Sequence, residues 1–149
     1  MRRSIPLSLF VFAGLFTLIA SCSKDLKYTN KVHGTWKISS IEHVSTNGSA
    51  ALTIQPDGVI QFDKCQVNED ETRGFRQHYA YLIGDSLVSL NATGSYIFDE
   101  EATKLIVTVP SEGSTRMTVY NVLAIDRRKL VLEEQHDENT RTVLTLAKK

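Results

Sequence analysis

From Gly34 onward, apolar and polar residues alternate in short runs separated by turn residues, and almost nothing carries the three-to-four-residue spacing of an amphipathic helix. The runs predicted as strands are residues 35–44, 51–54, 59–67, 74–83, 86–91, 95–98, 104–109, 115–125, 129–134 and 141–147. Between them lie Gln55-Pro56-Asp57-Gly58, Gly84-Asp85, Ala92-Thr93-Gly94, Ser111-Glu112-Gly113 and similar segments, most of them short enough for hairpins. Short links and no crossover helix predict an all-β fold, an antiparallel up-and-down barrel of about eight to ten strands, whose closure removes exposed strand edges.

The faces follow from the period of two. Leu105, Val107 and Val109 share one face against Lys104 and Thr108; Met117, Val119, Leu123 and Ile125 are expected to form the dry face of their run against Arg116 and Thr118. In the first run Trp36 and Ile38 share a parity that Ile41 breaks, which predicts a bulge near Ser39-Ser40.

The segment before these strands has another pattern. Met1-Arg2-Arg3 is positive, residues 5–20 are a 16-residue core that is apolar except at Ser8, Gly14 and Thr17, and Ala20 and Ser21 are small. This is the layout of a secretory signal peptide, and it is shorter than the roughly 20 apolar residues of a spanning helix. Ile19-Ala20-Ser21-Cys22 resembles the bacterial lipobox. The resemblance implies cleavage after Ser21, a diacylglyceryl group on the Cys22 thiol and acylation of the new amino terminus, including palmitate, since two or more chains anchor stably where one holds only reversibly. The expected organisation is a signal peptide over 1–21, a lipidated start and polar tether over 22–31, and one domain over 32–149. Ser23 differs from the aspartate that resembles an inner-membrane retention signal, so the expected location is the cell envelope, at the outer membrane.

Removing the signal leaves 128 of 149 residues, enough to bury a core. Arg2 and Arg3 leave with it, so 15 basic residues face 17 acidic ones and the formal net charge is −2. No clustered basic run is present, which argues against nucleic acid as a partner. Cys65 has no intrachain disulfide partner once Cys22 is lipidated, and reads as a small packing residue.

Gly34-Thr35-Trp36 opens the first strand and resembles the Gly-x-Trp signature of the lipocalin barrel. With Leu52-Thr53-Ile54-Gln55-Pro56-Asp57-Gly58, Phe62 and Gly84-Asp85-Ser86-Leu87, the chain is similar to the short lipocalin-like domains of bacterial outer-membrane lipoproteins, over nearly all of 32–149. In that family the tryptophan closes one barrel end beneath an arginine from a late strand. The resemblance therefore implies closure by Gly34, Trp36 and Arg141, with Arg127 and Arg128 as rivals to Arg141. No helix fits after Ala147 and no helical lid fits at Asn47-Gly48-Ser49-Ala50, so the domain reads as a reduced version.

Candidate chemistry is sparse. His33, His43, His78 and His136 show no metal-ligand spacing and read as exposed; Glu69-Asp70-Glu71 and Asp99-Glu100-Glu101 lack the pattern of a calcium loop. No nucleophile elbow or phosphate loop is present, so the expectation is a protein that is not an enzyme and takes no metal or cofactor. Asp85-Ser86-Leu87 resembles a short O-glycosylation motif, a match of a length that arises by chance. The aromatic residues remain. Phe75, Gln77, Tyr79 and Tyr81 share one parity, Tyr96 and Phe98 another, with Phe62 and Tyr120 elsewhere. They read first as core packing, and with Trp36 as a candidate lining for a small hydrophobic or amphipathic ligand. The competing reading is a filled barrel that docks another envelope protein. A ligand held above Trp36 is expected to perturb its emission.

Overall fold

The computed structural model describes residues 28–45, 52–64, 73–83, 85–99 and 101–149. Among the described residues nine antiparallel strands follow in order: β1 (Gly34–Ser45), β2 (Leu52–Ile54), β3 (Asp57–Phe62), β4 (Arg73–Ile83), β5 (Ser86–Phe98), β6 (Lys104–Ser111), β7 (Ser114–Ile125), β8 (Lys129–Gln135) and β9 (Thr140–Lys148). From β3 to β9 each strand pairs with the next, β2 and β3 both pair with β1, and β9 returns to β1 along Trp36–Ser45, which closes the barrel. Strands β2 and β3 face successive parts of β1, Ile54 opposite Ile41 and Phe62 opposite Gly34. They are two halves of one stave interrupted at Gln55-Pro56, so nine strands make eight staves. Cys22, Cys65 and the signal segment lie outside the described residues.

The bulge expected in the first strand is present, with the β1–β9 register shifting between Ile38 and Ser40. Both Trp36 and Ile41 thereby point inward and are buried.

Three expectations are revised. The two runs predicted on either side of Ala92-Thr93-Gly94 are one strand, β5, because Gly94 serves a close approach and not a turn: a Cβ there would lie 2.1 Å from the carbonyl oxygen of Thr108. The β5–β6 ladder runs from Phe98↔Leu105 only to Ser95↔Thr108.

Strand β7 is inverted relative to its expected face. Met117 and Leu123 are 65% and 55% exposed and Val119 is also exposed, whereas Thr118, Tyr120 and Val122 take the inward parity opposite Val107 and Leu105 of β6 and Leu132 of β8. Both parities of this run alternate well enough to pass as a strand face, and a slip of one residue turns every side chain over. A second bulge, between Val122 and Ala124, carries Ile125 to the core.

The end of the polar segment expected as a tether belongs to the barrel. Residues 28–32 form a single helical turn, α1, with Thr29 and Val32 fully buried and Tyr28 packed on Phe98 at 6.3 Å between ring centroids. Its polarity hides a plug.

Candidate functional site

The aromatic candidates divide by height along the barrel. Trp36, Phe62, Phe75, Tyr96 and Phe98 fill the end where β1 begins. Phe62 lies 5.6 Å from Phe75 and 5.1 Å from Tyr96 between ring centroids, Tyr96 meets Phe98 edge-on at 6.3 Å, and the Tyr96 hydroxyl donates to the Asp63 carbonyl at 2.8 Å. Ile38, Leu105, Leu130 and Leu146 complete this packing. It is a solid core.

Trp36 has no exposed surface, and its indole N–H donates to the Val32 carbonyl of α1 at 2.6 Å. The cation over its ring is Lys148, with Nζ 4.4 Å from the centroid and also donating to the His33 carbonyl. Arg141 stands elsewhere, on the outer wall, with Nη1 3.2 Å from Glu133 Oε2. The local reason for Gly34 follows: its φ is +116°, and a Cβ would press within 3.1 Å of the Lys148 side chain. Another residue there would be strained and would push the ammonium off the indole.

Tyr79, Tyr81, Gln77 and Tyr120 occupy the opposite, open end. Tyr79 and Tyr81 stack at 6.2 Å, and Gln77 beside them is half-buried. Across the lumen an inward polar row runs in register through four strands, Tyr120↔Glu134 from β7 to β8, Glu134↔Thr142 from β8 to β9, and Thr142↔His43 from β9 to β1. The buried Thr142 Oγ1 bonds both His43 Nδ1 at 2.9 Å and His136 Nε2 at 2.8 Å, and His136 Nδ1 lies 3.9 Å from Glu134 Oε1. His43 and His136 are otherwise exposed, as are His33 and His78. Among the described residues no group of three or more His, Cys, Asp or Glu stands close enough to hold a metal ion.

Spacing along the chain does not reveal Glu134, Thr142, His43 and His136 as a group: Glu134 and His136 are two residues apart, but Thr142, which joins the two histidines, reaches them only through the pairing of β8 and β1 with β9. The available signal was parity: Glu134 shares the parity of Leu130 and Leu132, and Thr142 that of Leu144 and Leu146. Polar groups on an apolar parity mark where the interior turns wet.

Electrostatics agree. Burial, chiefly, pushes the Tyr120 phenol well above its ordinary value of 10.0, with the Glu134 carboxylate and Tyr79 adding to it; burial, Tyr81 and Glu134 push Tyr79 up in the same way, and Arg116 opposes both. Both phenols are held protonated, able to donate hydrogen bonds. The unfolded chain loses these protons near pH 10 and the folded chain does not, so stability present below pH 10 is lost as pH rises through the folded values. Phenolate absorbance during alkaline titration is expected to show at least two of the five tyrosines, Tyr79 and Tyr120 among them, ionising only with unfolding. Joint ionisation of all five near pH 10 in the folded protein would contradict the buried row.

Beside this mouth the β3–β4 ladder stops at Asp57↔Ala80, and β2 follows β1 and not β4. The parting leaves an open groove of about 600 Å³ lined by Leu52, Ile54, Tyr81, Leu82 and Leu87 among others. Leu82 and Leu87 are 64% and 69% exposed there. Tyr81 belongs to both sites, lining the groove on one side and stacking on Tyr79 of the mouth on the other.

No family model matches the chain, and no curated protein matches it. Among solved structures it is similar to a redesigned β-barrel, at 15% identity and a TM-score of 0.46, over 82% of this chain and 95% of that one.

Proposed function

We propose that this chain is a lipid-anchored, lipocalin-like protein of the cell envelope that holds an amphipathic ligand at the open end of its barrel and carries out no catalysis. The observation that carries the reading is the position of Tyr81, which joins an apolar groove to a polar mouth. A ligand's apolar part suits Leu52, Ile54, Leu82 and Leu87; its polar group suits the protonated phenols of Tyr79 and Tyr120 and the carboxylate of Glu134. The burial of Phe62, Phe75, Tyr96 and Phe98 around Trp36 supports a packing role for them and favours the mouth as the ligand's place.

Trp36 is therefore remote from this ligand, and its emission is the wrong readout. The direct experiment is calorimetric titration of a soluble form, lacking residues 1–21 and carrying Cys22→Ala, with a fatty acid, a retinoid and haem. Saturable binding of one of them, weakened at least tenfold by Tyr81→Ala with no loss of thermal stability, is expected. Binding unaffected by Tyr81→Ala would remove the ligand from this end.

One observation favours the second reading, a module that docks another envelope protein. On the outer wall Ile97, Ile106 and Val119 stand in one register across β5, β6 and β7, beside the exposed Met117. Failure of all three ligands, with the domain folded, would move the proposal to that wall.

A further inference from the structure

At the closed end, below Trp36, a second concavity of about 460 Å³ is lined by Asn30, Lys31, Arg127 and Lys148. We infer that it is a binding site for a phosphate group, in which Lys31, Arg127 and Lys148 converge on the anion and the Asn30 amide adds a neutral donor. It is separate from the mouth, and does not depend on what the mouth binds.

Three positive side chains on one cleft repel one another unless something negative joins them. Among the described residues no carboxylate lines the cleft and none of the three cations is in an ion pair. Asp126 is the nearest acidic side chain in sequence and its carboxylate attracts Lys31, but without an ion pair: its Oδ1 accepts the Arg128 and Lys129 amides at 2.7 Å each and is held in its own turn. Asp99, in the β5–β6 connection, is likewise occupied, its Oδ1 accepting the amides of Thr103 and Lys104.

The cations are also braced. Lys31 Nζ lies 5.3 Å from the Tyr28 ring centroid and Lys148 Nζ 4.4 Å from that of Trp36, so aromatic faces hold two of the three charges in place before any ligand arrives. Burial lowers the Lys148 pKa with nothing acting against it, which marks a charge taken partly out of water without a counter-ion. The Lys148 ammonium has three donors and gives one to the His33 carbonyl. Arg127 brings a planar fork that matches two oxygens of a phosphate. Donors arriving from α1, from the β7–β8 turn and from the end of β9 surround a tetrahedral, multiply charged anion better than a flat monovalent carboxylate. The phosphate has two natural sources, the headgroup of an anionic lipid and a small soluble phosphate ester.

Trp36, the only tryptophan of the chain, reports on the site through Lys148. The full-length protein in maltoside micelles is titrated with inorganic phosphate at constant ionic strength, with sodium acetate as the control, while Trp36 emission is followed. A saturable change with phosphate and none with acetate is expected. Arg127→Gln, which leaves the indole and Lys148 in place, is expected to weaken it about tenfold or more, as loss of a charge-assisted pair should. Repeating the titration with micelles doped with phosphatidylglycerol names the source: competition with inorganic phosphate assigns a lipid headgroup, and absence of competition assigns a soluble phosphate. Either supports the site. A response that fails to saturate, that acetate reproduces, or that Arg127→Gln leaves unchanged overturns it.

Discussion

Replacing Trp36 with alanine is expected to cost about 3–5 kcal/mol, the range for large aromatic side chains deleted from well-packed cores. The indole is fully buried, holds α1 to the barrel through the Val32 carbonyl, and carries Lys148 on its face. Truncation leaves a cavity, an orphaned carbonyl and an unsupported cation at once. Trp36→Phe keeps most of the volume and loses the hydrogen bond, so its cost is expected to be nearer 1–3 kcal/mol. Urea unfolding followed by far-ultraviolet circular dichroism, which survives loss of the fluorophore, measures both. In the native chain the emission should be blue-shifted. A cost below about 1 kcal/mol for Trp36→Ala would show that α1 and the closed end hold without the indole.

Cys22→Ala is expected to abolish stable association with the outer membrane, the largest functional effect foreseen for a single substitution in this chain. With the thiol gone no lipid can be attached, and the product is either an uncleaved precursor or a soluble protein. Wild-type protein should remain with the outer membrane after carbonate washing and the variant should not; a variant that stays wholly in the outer membrane would end the lipoprotein reading. The geometry adds a direction. Cys22 is six residues before Tyr28, a reach of at most about 20 Å for extended chain. A lipid on Cys22 would hold the closed end, with its cluster of Lys31, Arg127 and Lys148, near the bilayer and turn the mouth away from it.

The barrel itself was legible in the chain because antiparallel strands with one wet face print their period directly on the sequence. Even the bulge at Ser39 left a trace, in the changed parity between Ile38 and Ile41. Less visible was anything that depends on which strand lies beside which. Strand β7 offers two faces of similar apolar content, and only its register with Leu105 and Val107 selects the one bearing Tyr120. Gly94 reads as a turn residue until Thr108 is known to lie against it. The polar row of Tyr120, Glu134, Thr142 and His43 is assembled from four strands across 99 residues of sequence separation, as the His43–Thr142 bond shows. Lys148 displaced Arg141 as the cation over Trp36 for a similar reason: both belong to β9, and only the β1–β9 pairing places Lys148 opposite Trp36. Periodicity reveals faces; neighbours must come from the fold.

The two partings of the wall have a consequence for how the molecule breathes. Strand β5 pairs with β6 only from Ser95 to Phe98, and β3 leaves β4 at Asp57, so the staves are fully laced at the closed end and partly unlaced at the mouth. The same strands thus belong to two cooperative units. Opening the laced half requires breaking the aromatic core and approaches the free energy of global unfolding, whereas the unlaced half can open locally at a fraction of that cost. Amide hydrogens of Trp36, Phe62 and Leu146 should accordingly exchange orders of magnitude more slowly than those of Leu87, Ser89 and Asn91, with protection grading along the barrel axis within a single strand. A barrel built in this way can widen its rim to admit a guest while its floor stays shut.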